Sequence, residues 1–152
     1  TTPSAEFNIY VDPHAANIVL DSDIPLTMMG LDVTHQVNVN RIIINSMNEN
    51  NNKSSKFFGE LMEFYTIFHK KLYETEDTPL HDPCVIAYLL EPNIFKGKFV
   101  NVIVEENSKL TRGETIVDWL GVTNRKANCM VMNHANDKKF FELLKNKLSN
   151  LP

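Results

Sequence analysis

The sequence predicts an α/β fold built on an open, mainly parallel sheet with flanking helices. Three observations carry that expectation. Helix-like and strand-like segments alternate through the early part of the chain, and strand-like segments cluster late. Ile24 to Val33 is apolar without a charge until Asp32, which suits a strand covered on both faces of a parallel sheet. Phe57, Leu61, Phe64, Phe68 and Leu72 recur at steps of three and four, the signature of an amphipathic helix. With 152 residues, 43% of them hydrophobic and 22% charged, the chain is long enough for one compact unit with a core.

In order, Thr1 to Val11 reads as a loop entering a helix, and within it Glu6-Phe7-Asn8 sets an acid and an amide on either side of an aromatic. Asp12-Pro13 starts the first helix, to about Asp21, with Asp12 as N-cap and proline where its missing N–H costs nothing. After the Ile24–Val33 strand, Thr34 and His35 open a second helix whose apolar side is Val37, Ile42, Ile43, Ile44 and Met47. Asn48 to Ser55 is rich in residues that prefer turns and caps, and reads as a mobile loop. Lys56 to Tyr73 is the amphipathic helix, on which Tyr65 and His69, four apart, share a face.

Leu80-His81-Asp82-Pro83-Cys84 places an imidazole and a carboxylate at the mouth of the next helix, with Asp82 as its expected N-cap, Pro83 at its first position and the run to Leu90 buried. The second Asp-Pro at Asp12 makes the dipeptide alone a weak functional signal. Phe99–Glu105, Gly113–Trp119 and Asn128–Met132 read as strands, the first two joined by a turn at Thr111-Arg112-Gly113. A last helix runs from Asn136 or Asp137 to about Leu148, with Phe140, Phe141, Leu144 and Leu148 inward.

Composition excludes several functions. The net charge of -4 and the lack of a basic stripe interleaved with aromatics argue against nucleic acid as a partner. No apolar run reaches membrane-spanning length, so no membrane is expected. Cys84 and Cys129 lie in apolar surroundings outside any Cys-x-x-Cys pair, which fits reduced core thiols in a cytoplasmic protein.

Four blocks together carry a resemblance: Ala5-Glu6-Phe7-Asn8-Ile9, Gly30-Leu31-Asp32-Val33-Thr34-His35, His81-Asp82-Pro83 and Leu110-Thr111-Arg112-Gly113. In this order they resemble the C-terminal half of the inosine-uridine preferring nucleoside hydrolases, over nearly the whole chain. The resemblance implies the nucleoside hydrolase fold and hydrolysis of the N-glycosidic bond of ribonucleosides to ribose and free base, with calcium as cofactor. Carried onto this sequence, Asp82 resembles the ligand of calcium and the ribose hydroxyls, and His81 the proton donor to the departing base. Glu6 and Asn8 resemble the pair that hydrogen-bonds ribose hydroxyls, and Phe7 a wall of the pocket. Tyr65 and His69 would roof the base side, while the Gly30–Thr34 block and Arg112 resemble structural positions.

The chain departs from the family in lacking its Asp-rich opening, Asp-x-Asp-x-x-x-Asp-Asp. Residues 1–152 are therefore expected to be the C-terminal portion of a single nucleoside hydrolase domain, incomplete at the N-terminal side and inactive alone. The remaining calcium ligands would come from the missing N-terminal half. The expected partners are a ribonucleoside and either that half or further copies of the chain. The alternative is a non-catalytic remnant that binds nucleosides or serves as a subunit-interaction module.

Overall fold

The structure, a computed structural model, describes residues 1–50, 52–75 and 78–152, apart from the side chains of 72 and 73. It is mixed α/β and divides into two compact units, one of residues 1–30 and 97–133, the other of residues 31–96 and 134–152.

The first unit begins with two short helices, α1 (Phe7–Val11) and α2 (Pro13–Leu20). Asp12 caps α2 as expected, its Oδ1 accepting from the Ala15 N–H at 2.9 Å. The sheet has β1 (Thr27–Met28), β4 (Phe95–Val104), β5 (Thr115–Asp118) and β6 (Cys129–Ala135) in the order β1-β6-β4-β5. Its parallel pair is β1 with β6, Thr27 opposite Met130, and β5 pairs antiparallel with β4 from Asn101–Asp118 to Val104–Thr115. Val100, Val102, Cys129 and Val131 form the core, with Leu20, Leu26, Met28, Val117 and Trp119 against it.

The long apolar strand expected over Ile24–Val33 shortens to Thr27–Met28, and Leu31–Thr34 turns into a short helix, α3. Pro25 has no N–H for a ladder, and β1 ends the strand order with one neighbour, so Thr27 faces solvent instead of being covered on both sides.

Two asparagines extend the pairing of β4. The Asn128 N–H donates to the Val100 carbonyl, and its side-chain amide then accepts from the Val102 N–H at 2.8 Å and donates to the Val102 carbonyl at 2.9 Å. Asn17 of α2 repeats this two residues on, with Val104 N–H at 2.8 Å and Val104 carbonyl at 2.9 Å. A side-chain amide carries the same donor and acceptor as a peptide group, so the two residues stand in for a strand.

At the end of β5, the Asp118 carboxylate accepts from the Thr123 hydroxyl at 2.5 Å and from the N–H groups of Thr123 and Val122. The Thr123 hydroxyl foremost, then those N–H groups, pull its pKa from 3.8 down to about 2. The Glu105 carboxyl is likewise lowered by the N–H groups of Asn107 and Ser108. A carboxyl depressed in the fold stabilises it above its unfolded pKa and loses that contribution as pH falls toward the folded value. Thermal unfolding should therefore shift to lower temperature as pH drops from about 4 to about 2, and Asp118→Asn should flatten that slope. An unchanged slope would show that the Asp118 loop melts independently of the unit.

The second unit holds α3, a ribbon of β2 (Asn38–Val39) and β3 (Thr78–Pro79), and the helices α4 (Arg41–Asn48), α5 (Lys53–Tyr73), α6 (Asp82–Leu90) and α7 (Asp137–Ser149). The helix expected to open at Thr34 and His35 instead begins at Arg41, because Asn40 caps it by accepting from the Ile43 N–H and residues 38–39 pair with β3. Asn52 caps α5 on the Ser55 N–H and donates to the Leu148 carbonyl at the end of α7. Of the expected Asn48–Ser55 loop, Asn51 lies outside the described residues.

Residues 56–73 are helical as the period requires, but the inward face is not the apolar stripe. Phe57, Leu61, Phe64 and Phe68 are exposed, Phe64 at 72%, while Ser55, Gly59 and Met62 are buried. Gly59 explains the choice of face: a Cβ there would run into the Asn48 side-chain amide, so the small-residue side alone lets α4 and α5 approach. On α6, Cys84 and Ala87 are buried while Val85, Ile86, Leu89 and Leu90 are exposed, against the expected burial of the whole run. The α7 face is as expected, with Phe140 buried and Phe141, Leu144 and Leu148 half-buried.

Candidate functional site

In the second unit, β2 follows α3 after three residues, and β3 leads through Leu80 into α6. Pairing of the ribbon, continued by the Leu80 N–H to the Val37 carbonyl at 2.9 Å, sets the C-terminal end of α3 beside the start of α6. Thr34 is 2% exposed, and its Oγ1 lies 2.9 Å from His81 Nδ1. The ring of His35 stands 5.4 Å from that of His81, tilted by 54°. One imidazole is thus anchored by a buried hydroxyl and flanked by a second imidazole.

The expected cap at α6 is shifted by one residue. His81 occupies the N-cap position and Asp82 is the first helical residue, followed by Pro83. Asp82 is exposed, and among the described residues nothing hydrogen-bonds its carboxylate. The two Asp-Pro starts therefore differ in kind. The Asp12 carboxylate is consumed by its helix, and that of Asp82 stays available at a helix N-terminus, where the dipole favours an anion. Cys84, two residues on, is no nucleophile: burial pushes its thiol up to about 11 while its Sγ donates to the Leu80 carbonyl.

Tyr65 and His69 meet edge-on on one face of α5, ring centroids 6.0 Å apart, and both are half-buried. The imidazole of His69 is held below its usual range, first by burial and then by the charge His35 would carry. Neutral His69 is the favoured form near pH 7.

In the first unit, Glu6, Phe7 and Asn8 sit at the start of α1. The Glu6 carboxylate caps that helix, Oε2 accepting from the Asn8 N–H at 2.7 Å, while Phe7 and the Asn8 side chain are exposed. The turn at Thr111-Arg112-Gly113 reaches this helix: Arg112 Nη1 donates to the Tyr10 carbonyl at 2.9 Å and its guanidinium lies 5.4 Å from the centre of the Tyr10 ring.

Thr34 and His35 are the residues that sequence reasoning misses as neighbours of His81. Their contact depends on a two-residue ribbon too short to show a strand period, and only the position of Thr-His at the end of an apolar block hints at a special place.

A hard cation such as calcium takes 6–8 oxygen ligands. Among the described residues no group of three or more acidic, histidine or cysteine side chains could hold a metal, and Asp82 is a lone exposed carboxylate. The described residues alone do not fit a calcium site.

The family profile for inosine-uridine preferring nucleoside hydrolase matches residues 1–142. The chain is 43% identical to the pyrimidine-specific ribonucleoside hydrolase RihA of Photobacterium profundum, over 98% of this chain and 48% of that protein. It is 42% identical to an uncharacterised protein of Schizosaccharomyces pombe, over 99% of this chain and 49% of that one. Among solved structures, the purine-preferring ribonucleoside hydrolase from Gardnerella vaginalis superposes with a TM-score of 0.83 at 28% identity, covering 96% of this chain and 46% of that one. The chain spans about half the length of the relatives it matches. Among the described residues no helix is long and apolar enough to cross a membrane.

Proposed function

Because the chain belongs to the inosine-uridine preferring nucleoside hydrolase family, we propose that it supplies leaving-group and ribose-binding residues for calcium-dependent hydrolysis of the N-glycosidic bond of ribonucleosides. Water adds to the anomeric carbon, the bond from that carbon to the base nitrogen breaks, and the base leaves with a proton. The transition state carries oxocarbenium character, which nearby carboxylates stabilise electrostatically.

The observation that carries the reading is the buried Thr34 hydroxyl at 2.9 Å from His81 Nδ1. It fixes the ring, so that a proton passed to the base leaves from Nε2, and a positioned imidazole is the usual side chain for such a transfer. Asp82 offers an anionic oxygen to the ribose hydroxyls and one ligand toward calcium. Glu6 and Asn8 hydrogen-bond ribose hydroxyls, Phe7 walls the sugar, and Tyr65 with neutral His69 covers the base side without adding charge.

Among the described residues no cluster of acidic, histidine or cysteine side chains could hold calcium and its water, so the 152-residue chain is expected not to turn over alone. The test is base release from inosine and uridine, with calcium, by the chain and by the full-length protein. Release by the full-length protein and none by the chain is the expected result. Turnover by the chain alone that disappears in His81→Ala would overturn it.

A subunit-interaction role is favoured by one observation, the exposed apolar faces of Phe57, Leu61, Phe64 and Phe68 on α5 and Leu89 and Leu90 on α6. Such faces suit contact with the rest of the domain or with a second copy.

A further inference from the structure

We propose that Arg112 is a positioning residue for ribose recognition, holding α1 so that Asn8 and Glu6 meet the sugar hydroxyls. The proposal rests on the ribose-binding role given above to those two residues.

The argument starts from how little α1 can do for itself. It has five residues and buries none of them. A helix of one turn is far below the length at which nucleation is repaid, so its place must be set by contacts outside it. At its start, the Glu6 carboxylate holds the Asn8 N–H, and the Thr2 hydroxyl accepts from the Ala5 N–H at 2.9 Å. At its end the contact is Arg112. Its hydrogen bond takes the Tyr10 carbonyl, one of the last-turn acceptors that a helix leaves unpaired, and its planar face covers the ring of the same residue. One contact fixes the height of the helix end and the other fixes its rotation.

Gly113 brings the turn close enough for this. Its φ of +85° suits glycine, and a Cβ there would lie 2.9 Å from Tyr10 Cα and 3.1 Å from Ala5 Cβ. The turn is itself tied by its own hydrogen bonds. The Glu105 carboxylate accepts from the N–H groups of Asn107 and Ser108, the Ser108 hydroxyl accepts from those of Leu110 and Thr111, and the Gly113 N–H donates to the Glu105 carbonyl at 2.7 Å. A braced hairpin tip therefore meets the end of a one-turn helix, and Arg112 joins them. Arg112 is exposed, so its removal empties no core. Lysine could supply the charge but not the planar fork that does both tasks.

The experiment compares KM for the parent ribonucleoside with KM for its 2′-, 3′- and 5′-deoxy analogues, on the full-length protein and its Asn8→Ala, Arg112→Lys and Arg112→Ala variants. Asn8→Ala identifies the hydroxyl that the helix reads, because the penalty for lacking that hydroxyl shrinks. Arg112→Ala should shrink the same penalty by about tenfold, the scale of one lost hydrogen bond, through KM for the parent and with little change in kcat. Arg112→Lys should fall between. Should Arg112→Ala fail to fold, the Arg112→Lys arm makes the same comparison. A penalty left at the wild-type value, or a KM raised equally for every analogue, would reduce Arg112 to a structural residue and sink the proposal. If Asn8→Ala narrows no penalty, it is the ribose-binding reading that fails.

Discussion

Replacing His81 with alanine in the full-length protein is expected to slow base release by about 10²–10⁴-fold, the range typical of removing a positioned general acid or base. The size follows from the leaving group. In the proposed reaction a purine or pyrimidine nitrogen departing as an anion is unstable, and the imidazole would remove that charge as the bond breaks. The loss should fall on kcat more than on KM, since proton transfer belongs to the transition state. It should also depend on the leaving group. A riboside of nitrophenol, which departs as a stable anion, needs no proton and should be hydrolysed by the variant at nearly the original rate. Thr34→Val should show the same pattern in weaker form, because it removes the bond to Nδ1 and leaves the imidazole in place. If His81→Ala slows the nitrophenyl riboside as much as the nucleoside, the side chain is holding structure and not delivering a proton.

Much of this arrangement is legible in the sequence, and the parts that are not have particular causes. The period of Phe57, Leu61, Phe64 and Phe68 does identify α5, but a period says which residues share a face, not which face packs. Packing on α5 is decided by Ser55 and Gly59, whose small size admits α4, and a stripe counted by hydrophobicity passes over both. The ribbon that delivers Thr34 to His81 hides for a different reason. Two-residue strands show no alternation, and Pro79 inside one of them argues against a strand at all. Residues 34–47 consequently read as one helix. The two Asp-Pro starts look alike in sequence because the dipeptide does not reveal which carboxylate its helix consumes. The family is legible because four short blocks in fixed order carry the resemblance even where the elements between them are misread.

The largest stability effect should come from a residue with no part in the chemistry. Asn128→Ala is expected to destabilise the protein by about 2–4 kcal/mol, since the N–H and the carbonyl of Val102 each lose a partner and a buried orphan costs about 1–3 kcal/mol. Val102 is fully buried, so water cannot replace the amide without opening the core of the first unit. The substitution also removes the weaker bond from Nδ2 to the Leu20 carbonyl, at 3.3 Å, which ties the end of α2 to the same point. Asn128→Asp separates the two halves of the interaction. It keeps an acceptor for the Val102 N–H but turns a carboxylate oxygen toward the carbonyls of Val102 and Leu20, so it should destabilise at least as much as alanine despite its closer shape. Asn17→Ala, which strips the same pair of bonds from nearly buried Val104, should cost a similar amount. Urea unfolding of the three variants measures this directly. A loss below about 0.5 kcal/mol for Asn128→Ala, the range of ordinary surface substitutions, would mean that the edge of β4 is satisfied by water and that the asparagines do not take the place of a strand.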